Sequence, residues 1–491
     1  MAGISTRIFQ SNNFLNGIEN VLNEFYSVNE ETILNSIQHL DFSFFTHLKD
    51  NLYFFIEYPY VDKFYRNSYY NYYSSKNYSY SKETIRVSIF ENAINEESIF
   101  DLEILKNNYL GFFVLRPTFP SILGRNVISP IAFSDHNFSI VSSKFNITAN
   151  SLKTTVDGFP HSSQDGESIT CAETTIWSII EYFSNRYNEY NPLLPSEIHK
   201  ILSELTYERQ MPSRGLQAHQ ISYALKKMGF GVRVYSKSVY NMEFNRILNS
   251  YIESGIPLVA CVRGNGIGHA FNIIGRRNFN QDNYNQIEDI DLREDGRLFL
   301  KNVNSIENDF IFVDDNFAPY RVGNIHNPCV HYNLPGWDGC EITEIIVPLY
   351  SKIYMEAGEA SFFTQNLLKL STFAYNGTSI ATKTFLCSSR TYKNYLLNLE
   401  DINLDIKKLF LNLSMPKFIW VTEIYDAEGF INQDVIGLVL LDATEPKSTH
   451  VIGAIIDNVF IRKNLSENIS VEIPFESIKS FNDNLKNYGN N

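Results

Sequence analysis

Residues 158–183 read GFPHSSQDGESITCAETTIWSIIEYF, and the character of the chain changes at Cys171. The residues before the cysteine are mostly polar or turn-forming, whereas Ile176, Ile180 and Phe183 after it recur at helical spacing. The pattern predicts a helix that begins at Cys171 and buries one face. A thiol at the first turn of a helix faces free backbone amides and the positive end of the helix dipole, which favour its ionised form.

Two later segments carry candidate partners for this thiol. The sequence GIGHAFNIIG at residues 266–275 places His269 before an apolar run, which predicts a buried strand that ends at the next glycine. The sequence FIFVDDNF at residues 310–317 predicts a second short strand. That strand should stop at Asp314 and Asp315, because acidic residues favour turns over strands.

A cysteine, a histidine and an acid are the groups that thiol-dependent acyl transfer needs. The thiolate attacks a carbonyl, the imidazole moves protons, and the acid holds the imidazole in the right tautomer. The candidates are Cys171, His269 and Asp315, with Asp314 as the alternative for the third role. A single cysteine on a helix is usually a small core residue, so the hypothesis depends on all three groups occurring in order on the expected elements.

Over about residues 155–350 the chain resembles the papain-like cysteine peptidases, and among them the bacterial group that includes the bacteriocin-leader-processing peptidases. The strand that begins at His269 resembles the family's histidine strand, and residues 315–317 resemble its acid-or-amide, turn and aromatic motif. Gln164 precedes Cys171 as the family's oxyanion-hole glutamine precedes its nucleophile. The resemblance implies a helical part followed by a mostly antiparallel sheet, and hydrolysis of a peptide or isopeptide bond without a cofactor.

The chain departs from the family pattern at three points. Gln164 lies seven residues before Cys171, and Ala172 follows the cysteine where the family usually has Gly or Trp. The interval from the histidine to Asp315 is longer than in minimal members, and a polar segment at residues 276–297 accounts for the excess. This segment predicts an insertion in a hairpin.

The amino-acid composition limits the classes of partner and the cellular compartment that this protein can have. The 491-residue chain is 44% hydrophobic and 20% charged, which indicates a folded protein of several domains. Its formal net charge of −14 argues against nucleic acid and anionic membrane surfaces as partners. The chain shows no signal-peptide pattern and no apolar run long enough to span a bilayer, and its five cysteines suit a reducing compartment. We therefore expect a cytoplasmic protein whose partner is a peptide or protein substrate.

The predicted fold class is α+β, with three regions along the chain. Residues 1–150 predict a β-rich N-terminal accessory region, 151–350 a papain-like catalytic domain, and 351–491 a C-terminal α+β accessory domain. The accessory regions are expected to restrict or present the substrate, or to contact a protein partner.

One cluster of potential metal ligands stands apart from these candidates. His326, Cys329, His331 and Cys340 lie within fifteen residues, with Asp338 close by. Zinc takes such ligands, but their spacing matches no usual zinc finger or knuckle. We therefore expect a loop with buried thiols and no metal.

Two alternative functions stay open on the sequence. The same three groups serve acyl transfer, transglutamination and deamidation, because the walls of the cleft choose the acceptor. A binding or scaffold protein that keeps a hydrolase fold is the other alternative. The intact Cys171, His269 and Asp315 argue against it, since a binding module has no use for all three.

Overall fold

The computed structural model describes residues 3–205, 211–279, 281–294, 297–370, 375, 378–400, 402–446, 451–463 and 468–489. In these ranges helices combine with mostly antiparallel sheets, which confirms the predicted α+β class. Three large sheets organise the described residues, and we refer to them as the N-terminal, central and C-terminal sheets.

The N-terminal sheet and the helices that cover it come from residues 5–162. The helices are α1 (Ser11–Phe25), α2 (Glu30–Ser43), α3 (Lys63–Asn71) and α4 (Leu102–Asn108). The strands of this part of the chain are β1 (Ser5–Gln10), β2 (Tyr53–Tyr60), β3 (Thr84–Phe90), β4 (Tyr109–Leu115), β5 (Leu123–Ile128), β6 (Phe138–Ile140), β7 (Ser143–Ala149) and β8 (Leu152–Ser162). All of them except β6 belong to the N-terminal sheet. The sheet is antiparallel, with the order β1-β2-β3-β4-β5-β8-β7.

The strands of the N-terminal sheet are covered on both faces. In β2, Phe54 packs on Phe14 of α1 with ring centroids 4.3 Å apart, whereas Phe55 belongs to the core on the opposite face with Phe112. Successive residues of a strand face opposite sides. A strand covered twice must therefore be apolar at consecutive positions, which explains the near-continuous apolar runs of β2 to β4.

The central sheet follows the helix that begins at Cys171. The helices of this region are α5 (Cys171–Arg186), α6 (Pro195–Leu202), α7 (Ala218–Lys227), α8 (Lys237–Tyr240), α9 (Glu243–Glu253) and α10 (Gln281–Gln286). The strands of this region are β9 (Phe230–Ser236), β10 (Leu258–Gly264), β11 (Ile267–Arg277), β12 (Ile290–Asp291), β13 (Leu298–Asn302), β14 (Phe310–Val313), β15 (Arg321–Gly323) and β16 (Glu341–Tyr350). Of these, β12 and β13 belong to the C-terminal sheet. The central sheet has the antiparallel order β15-β14-β11-β10-β16-β9. The predicted helix at Cys171 and the predicted strands at 270–274 and 310–313 are thus confirmed.

The C-terminal sheet is built largely from the last part of the chain. The helices there are α11 (Ala357–Leu370), α12 (Ser389–Asn398), α13 (Leu404–Asn412) and α14 (Ala427–Asn432). The strands are β17 (Thr378–Ser388), β18 (Phe418–Tyr425), β19 (Asp434–Val435), β20 (Gly437–Asp442), β21 (Val451–Ile456), β22 (Val459–Lys463), β23 (Asn468–Glu472), β24 (Ile478–Lys479) and β25 (Lys486–Asn487). The sheet order is β12-β13-β17-β18-β20-β21-β22-β23.

The polar segment at residues 276–297 is more structured than its composition suggests. It contains α10 and β12, where the sequence predicts a hairpin insertion. The side chains of Tyr284, Ile287 and Leu292 are buried, and Tyr284 packs on Phe430 with ring centroids 4.9 Å apart. These spaced apolar anchors attach the segment to the C-terminal region, which a count of polar residues does not detect.

Strands from the three regions pair with one another. β6 from the N-terminal region pairs with β11 of the central sheet, and β25 near the end of the chain pairs with β6. β13 pairs in parallel with β17, so a strand from the middle of the chain extends the C-terminal sheet. The three segments are therefore linked by backbone hydrogen bonds as well as by side-chain packing. In the described ranges, no helix is long and apolar enough to cross a membrane.

Candidate active site

The segment between β8 and α5 is a tightly hydrogen-bonded loop. The Oδ1 atom of Asp165 accepts hydrogen bonds from the backbone N–H groups of Glu167, Ser168 and Ile169 at 2.9, 2.7 and 3.0 Å. An aspartate in a turn can satisfy backbone donors that have no helix or strand partner. The loop therefore holds Cys171, the first residue of α5, in a fixed position.

The N-terminal region supports the same loop through a buried arginine. The guanidinium of Arg116, between β4 and β5, donates to the backbone carbonyls of Ser163 and Gln164 at 2.8 and 2.6 Å. Because these bonds come from outside the central sheet, the N-terminal sheet is part of the support for Cys171.

The first turn of α5 is capped by a buried carboxylate. Glu173 accepts hydrogen bonds from the backbone N–H of Thr170 at 3.2 Å and from the hydroxyl of Thr170. The hydroxyl of Ser213 donates to the other oxygen of Glu173 at 2.6 Å. This capping box satisfies donors at the helix start, and it ties the chain around Ser213 to the turn that carries Cys171.

Cys171 and His269 line one cleft of about 470 Å³. Cys171 is half-buried, and His269 lies on β11, where its cross-strand neighbour is Val262 on β10. The Nε2 atom of His269 is 3.1 Å from Oδ1 of Asp314, which leaves Nδ1 for the sulfur. The sequence-predicted cysteine and histidine are therefore brought together.

The charge state of the imidazole follows from its neighbours. Burial alone would lower the pKa of His269, but the negative charge of Asp314 and the hydrogen bonds to Asp314 and to Cys171 raise this pKa well above its usual value. The imidazole therefore holds its proton at neutral pH, with the thiol of Cys171 among its neighbours.

The carboxylate that hydrogen-bonds His269 belongs to Asp314. Its Oδ1 atom also accepts the backbone N–H of Asn316 at 3.0 Å, and its Oδ2 atom lies 3.1 Å from Nε2 of His331. The nearest oxygen of Asp315 is 3.8 Å from the imidazole, and the other oxygen of Asp315 accepts the hydroxyl of Thr174 on α5 at 3.1 Å. The sequence analysis put Asp315 first for the orienting role, whereas the geometry favours its alternative, Asp314.

The two adjacent acids differ in charge. Burial would raise the pKa of Asp314, but the positive charges and hydrogen bonds of His269 and His331 hold it well below its usual value. Burial, together with the charge of Asp314, raises the pKa of Asp315 to about 7. One oxygen of Asp315 has no hydrogen-bond partner among the described residues. Asp314 is thus the ionised member of the pair, and Asp315 binds its proton up to near-neutral pH.

Two aromatic residues that the sequence analysis missed complete the surroundings of the imidazole. The Tyr332 hydroxyl is 2.9 Å from Oδ2 of Asp314 and 3.1 Å from Nε2 of His269. The ring of Tyr332 stacks on Trp337 at 3.7 Å, and Trp337 meets the imidazole edge-on at 5.4 Å. These rings shield the contact between His269 and Asp314 from water. Their place in a loop about sixty residues beyond the histidine gave no local signal in the sequence.

Gln164 belongs to the same hydrogen-bond network. Its side-chain amide donates to the Oδ1 atom of Asn316 at 2.5 Å, and the amide of Asn316 donates to the Tyr332 hydroxyl at 2.8 Å. Gln164 is therefore linked to Asp314 through the side chains of Asn316 and Tyr332, and its amide contacts Asn316 in this conformation.

Of the four potential metal ligands of the sequence analysis, Cys329 and Cys340 contact each other, whereas the two histidines have other partners. His326 is exposed and lies 3.9 Å from Glu307, whereas His331 contacts Asp314. Cys329 and Cys340 are buried free thiols. The side chain of His331 therefore contributes to the candidate active site.

His269, Asp314 and Asp315 also form the one group of metal-ligand side chains close enough to share an ion across the described residues. Their ligand atoms lie within 4.8 Å of one another. The imidazole nitrogen that faces the acids already hydrogen-bonds a carboxylate, and a thiol lies in the same cleft. This arrangement suits proton transfer to and from the sulfur.

Comparisons with known proteins return no family model that matches this chain and no similar curated protein.

Proposed function

We propose that this protein is a papain-like cysteine peptidase or isopeptidase that uses Cys171, His269 and Asp314. One observation carries the proposal: a half-buried thiol at the start of α5 shares a cleft with an imidazole, which a fully buried carboxylate holds from the other side. A nucleophile, a base and an orienting group in contact are the minimum for covalent acyl transfer.

In the proposed reaction the thiolate of Cys171 attacks the carbonyl carbon of a peptide or isopeptide bond. The protonated His269 then gives its proton to the leaving amine, and a thioester with Cys171 remains. Water attacks this thioester after His269 takes one of its protons, and the acid product leaves as the thiolate forms again. Asp314 keeps Nδ1 of the imidazole directed at the sulfur throughout.

The negative oxygen of the tetrahedral intermediates needs hydrogen-bond donors. The backbone N–H of Cys171 at the start of α5 and the side-chain amide of Gln164 are the proposed donors. Gln164 would have to exchange its bond to Asn316 for one to the substrate. Loss of one such donor costs about 2.7–4 kcal/mol of transition-state stabilisation in other enzymes.

Two alternatives use the same geometry. Acyl transfer, transglutamination or deamidation would follow if an amine replaced water or if a side-chain amide replaced the peptide bond. A non-catalytic binding protein would need neither the raised pKa of His269 nor the buried carboxylate behind it. The proposal includes a peptide or protein substrate and a cytoplasmic location, which five free cysteines suit.

The test compares alkylation of two cysteines in one cleft. Cys261 also lines the cleft, but burial raises the pKa of its thiol to about 12. Iodoacetamide at pH 6–7 should therefore label Cys171 much faster than Cys261, and His269→Ala should slow the labelling of Cys171. Mass spectrometry of the labelled peptides measures both rates. Faster labelling of Cys261 or Cys387 than of Cys171 would refute the proposal.

A second experiment separates the alternatives. The protein is incubated with a peptide library, with and without an added amine and with and without EDTA, and the products are identified by mass spectrometry. Hydrolysis that requires Cys171 and survives EDTA supports the peptidase. Products that incorporate the amine instead identify a transferase.

A further inference from the structure

The cleft that contains Cys171 is cationic on a protein of net negative charge. Arg214 and Arg263 line it together with His269, and no Asp or Glu is among the described residues that line it. The chain as a whole carries a formal net charge of −14. A cleft of one sign attracts ligands of the opposite sign, and low-dielectric walls strengthen that field.

Arg263 lies on β10 and lines the same cleft as Cys171 and His269. Its cross-strand partner is Gly268 on β11, the residue before His269. Its guanidinium donates to the side-chain oxygen of Gln217 at 3.3 Å and is 3.7 Å from Glu344. Its side chain is 56% exposed, so this long ion pair neutralises little of its charge.

Arg214 lines the cleft from a different part of the chain, the segment that leads into α7. Its neighbour Ser213 is fixed from two sides, by the hydroxyl bond to Glu173 and by a backbone bond to the carbonyl of Glu167. The guanidinium itself is exposed and has no hydrogen-bond or ion-pair partner within the described part of the chain. A cation is thus held beside the turn that carries Cys171, free to bind a ligand.

We propose that the substrate carries a carboxylate close to the bond that Cys171 attacks, and that Arg214 and Arg263, which both line the cleft, bind it. The proposal rests on the proposed function, because it places the substrate against Cys171. A guanidinium group is well suited to bind a carboxylate, because its planar pair of N–H donors matches the two carboxylate oxygens. The carboxylate is either an acidic side chain or the C-terminus of the substrate.

Two small alkylating agents test the proposal without knowledge of the substrate. Iodoacetate and iodoacetamide form the same C–S bond and release iodide, but only iodoacetate carries a carboxylate. The measured quantity is the rate of alkylation of Cys171 by iodoacetate divided by its rate of alkylation by iodoacetamide. Replacing either arginine by glutamine should lower this ratio about two- to fivefold, the range for exposed ion pairs. Salt at 0.5 M should reduce the ratio in the parent protein.

Matched variants serve as controls. Arg214→Lys keeps the charge and should retain most of the ratio. Arg233→Gln removes an arginine on β9 that is 42% exposed and pairs with Glu356, outside the cleft, and should leave the ratio unchanged. An unchanged ratio in Arg214→Gln and Arg263→Gln would overturn the inference. Failure of both reagents to label Cys171 ahead of Cys387 would instead overturn the proposed function.

Peptides then distinguish the two sources of the carboxylate. One series varies Glu, Gln and Lys next to the cleaved bond in amidated peptides, and the other compares free and amidated C-termini in neutral peptides. Preference for Glu identifies an acidic side chain, and preference for the free terminus identifies the substrate C-terminus. Equal kcat/KM across both series would overturn the inference.

Discussion

The imidazole of His269 lies 3.1 Å from a carboxylate oxygen of Asp314, and that carboxylate is fully buried. A buried carboxylate is costly unless several donors surround it. Here a backbone N–H, the Tyr332 hydroxyl and the imidazole of His331 join His269 around it. Four groups therefore hold the Asp314 carboxylate in place behind His269. A proton-transferring imidazole requires such a fixed acid.

The first prediction separates the two adjacent acids. Asp314→Asn should lower kcat by roughly 10²–10⁴-fold, the range for loss of general acid–base function, because an amide no longer stabilises the protonated imidazole. Asp315→Asn should change kcat by much less, since its carboxyl contacts Thr174 at 3.1 Å and lies 3.8 Å from His269. Steady-state kinetics on a cleaved peptide measure both variants. A larger loss in Asp315→Asn would return the orienting role to Asp315.

The second prediction concerns the hydroxyl that bridges the imidazole and the acid. Tyr332→Phe keeps the stacking on Trp337 but leaves Asn316 and Asp314 each short of one hydrogen bond. The free energy of unfolding should fall by about 1–3 kcal/mol, and kcat should fall as well.

Tyr251→Phe is the matched control for that variant. Its hydroxyl is also buried and bonded, to Tyr235 at 2.8 Å and to the backbone of Ala357, but it lies outside the cleft. It should lose stability without loss of kcat. If both variants affect kcat alike, the Tyr332 hydroxyl has only a structural role.

The sequence predicts the elements of this site better than its contacts. The helix at Cys171, the strand after His269 and the strand before Asp314 follow from apolar spacing, which is a local signal. The choice between Asp314 and Asp315 depends on how the turn after β14 directs two adjacent side chains, which residue types do not encode. Tyr332 reaches His269 only through the path of a loop between two strands, so no spacing rule finds it.

The same limit applies to the fold. The long strands of each region are visible as apolar runs, but their pairing across regions is not. β13 is a short strand of mixed burial, and it pairs in parallel with β17, which also contacts α9. Strand partners distant in sequence are a property of tertiary packing.

The third prediction concerns pH and Asp315. Burial and the charge of Asp314 raise the pKa of Asp315 to about 7, from about 3.9 in an unfolded chain. Between these values the folded protein binds more protons than the unfolded one. The contribution of Asp315 to stability is therefore present below about pH 4 and is lost as the pH rises through 7.

Asp315→Asn removes this titration. The free energy of unfolding of the parent protein, minus that of the variant, should fall from pH 5 to about pH 7 and change little above it. Urea denaturation of both proteins at each pH measures the difference, in which the other titrating groups largely cancel. Parallel stability curves would show that Asp315 is already ionised in this range.

The last prediction concerns the dependence of the central sheet on the end of the chain. Tyr251 on α9 packs on Trp420 of β18 with ring centroids 5.8 Å apart, and both side chains belong to one buried core. A chain that ends at Tyr350 would expose that core, together with the edges of β13 and β6 that pair with β17 and β25. Exposed apolar surface and unpaired strand edges promote aggregation.

We expect the 1–350 chain to be insoluble or to melt far below the full-length protein, and co-expression with residues 351–491 to restore the full-length melting temperature. Cooperative melting of the 1–350 chain within a few degrees of the full-length protein would show instead that the C-terminal region is an independent module, despite the strands it shares with the rest.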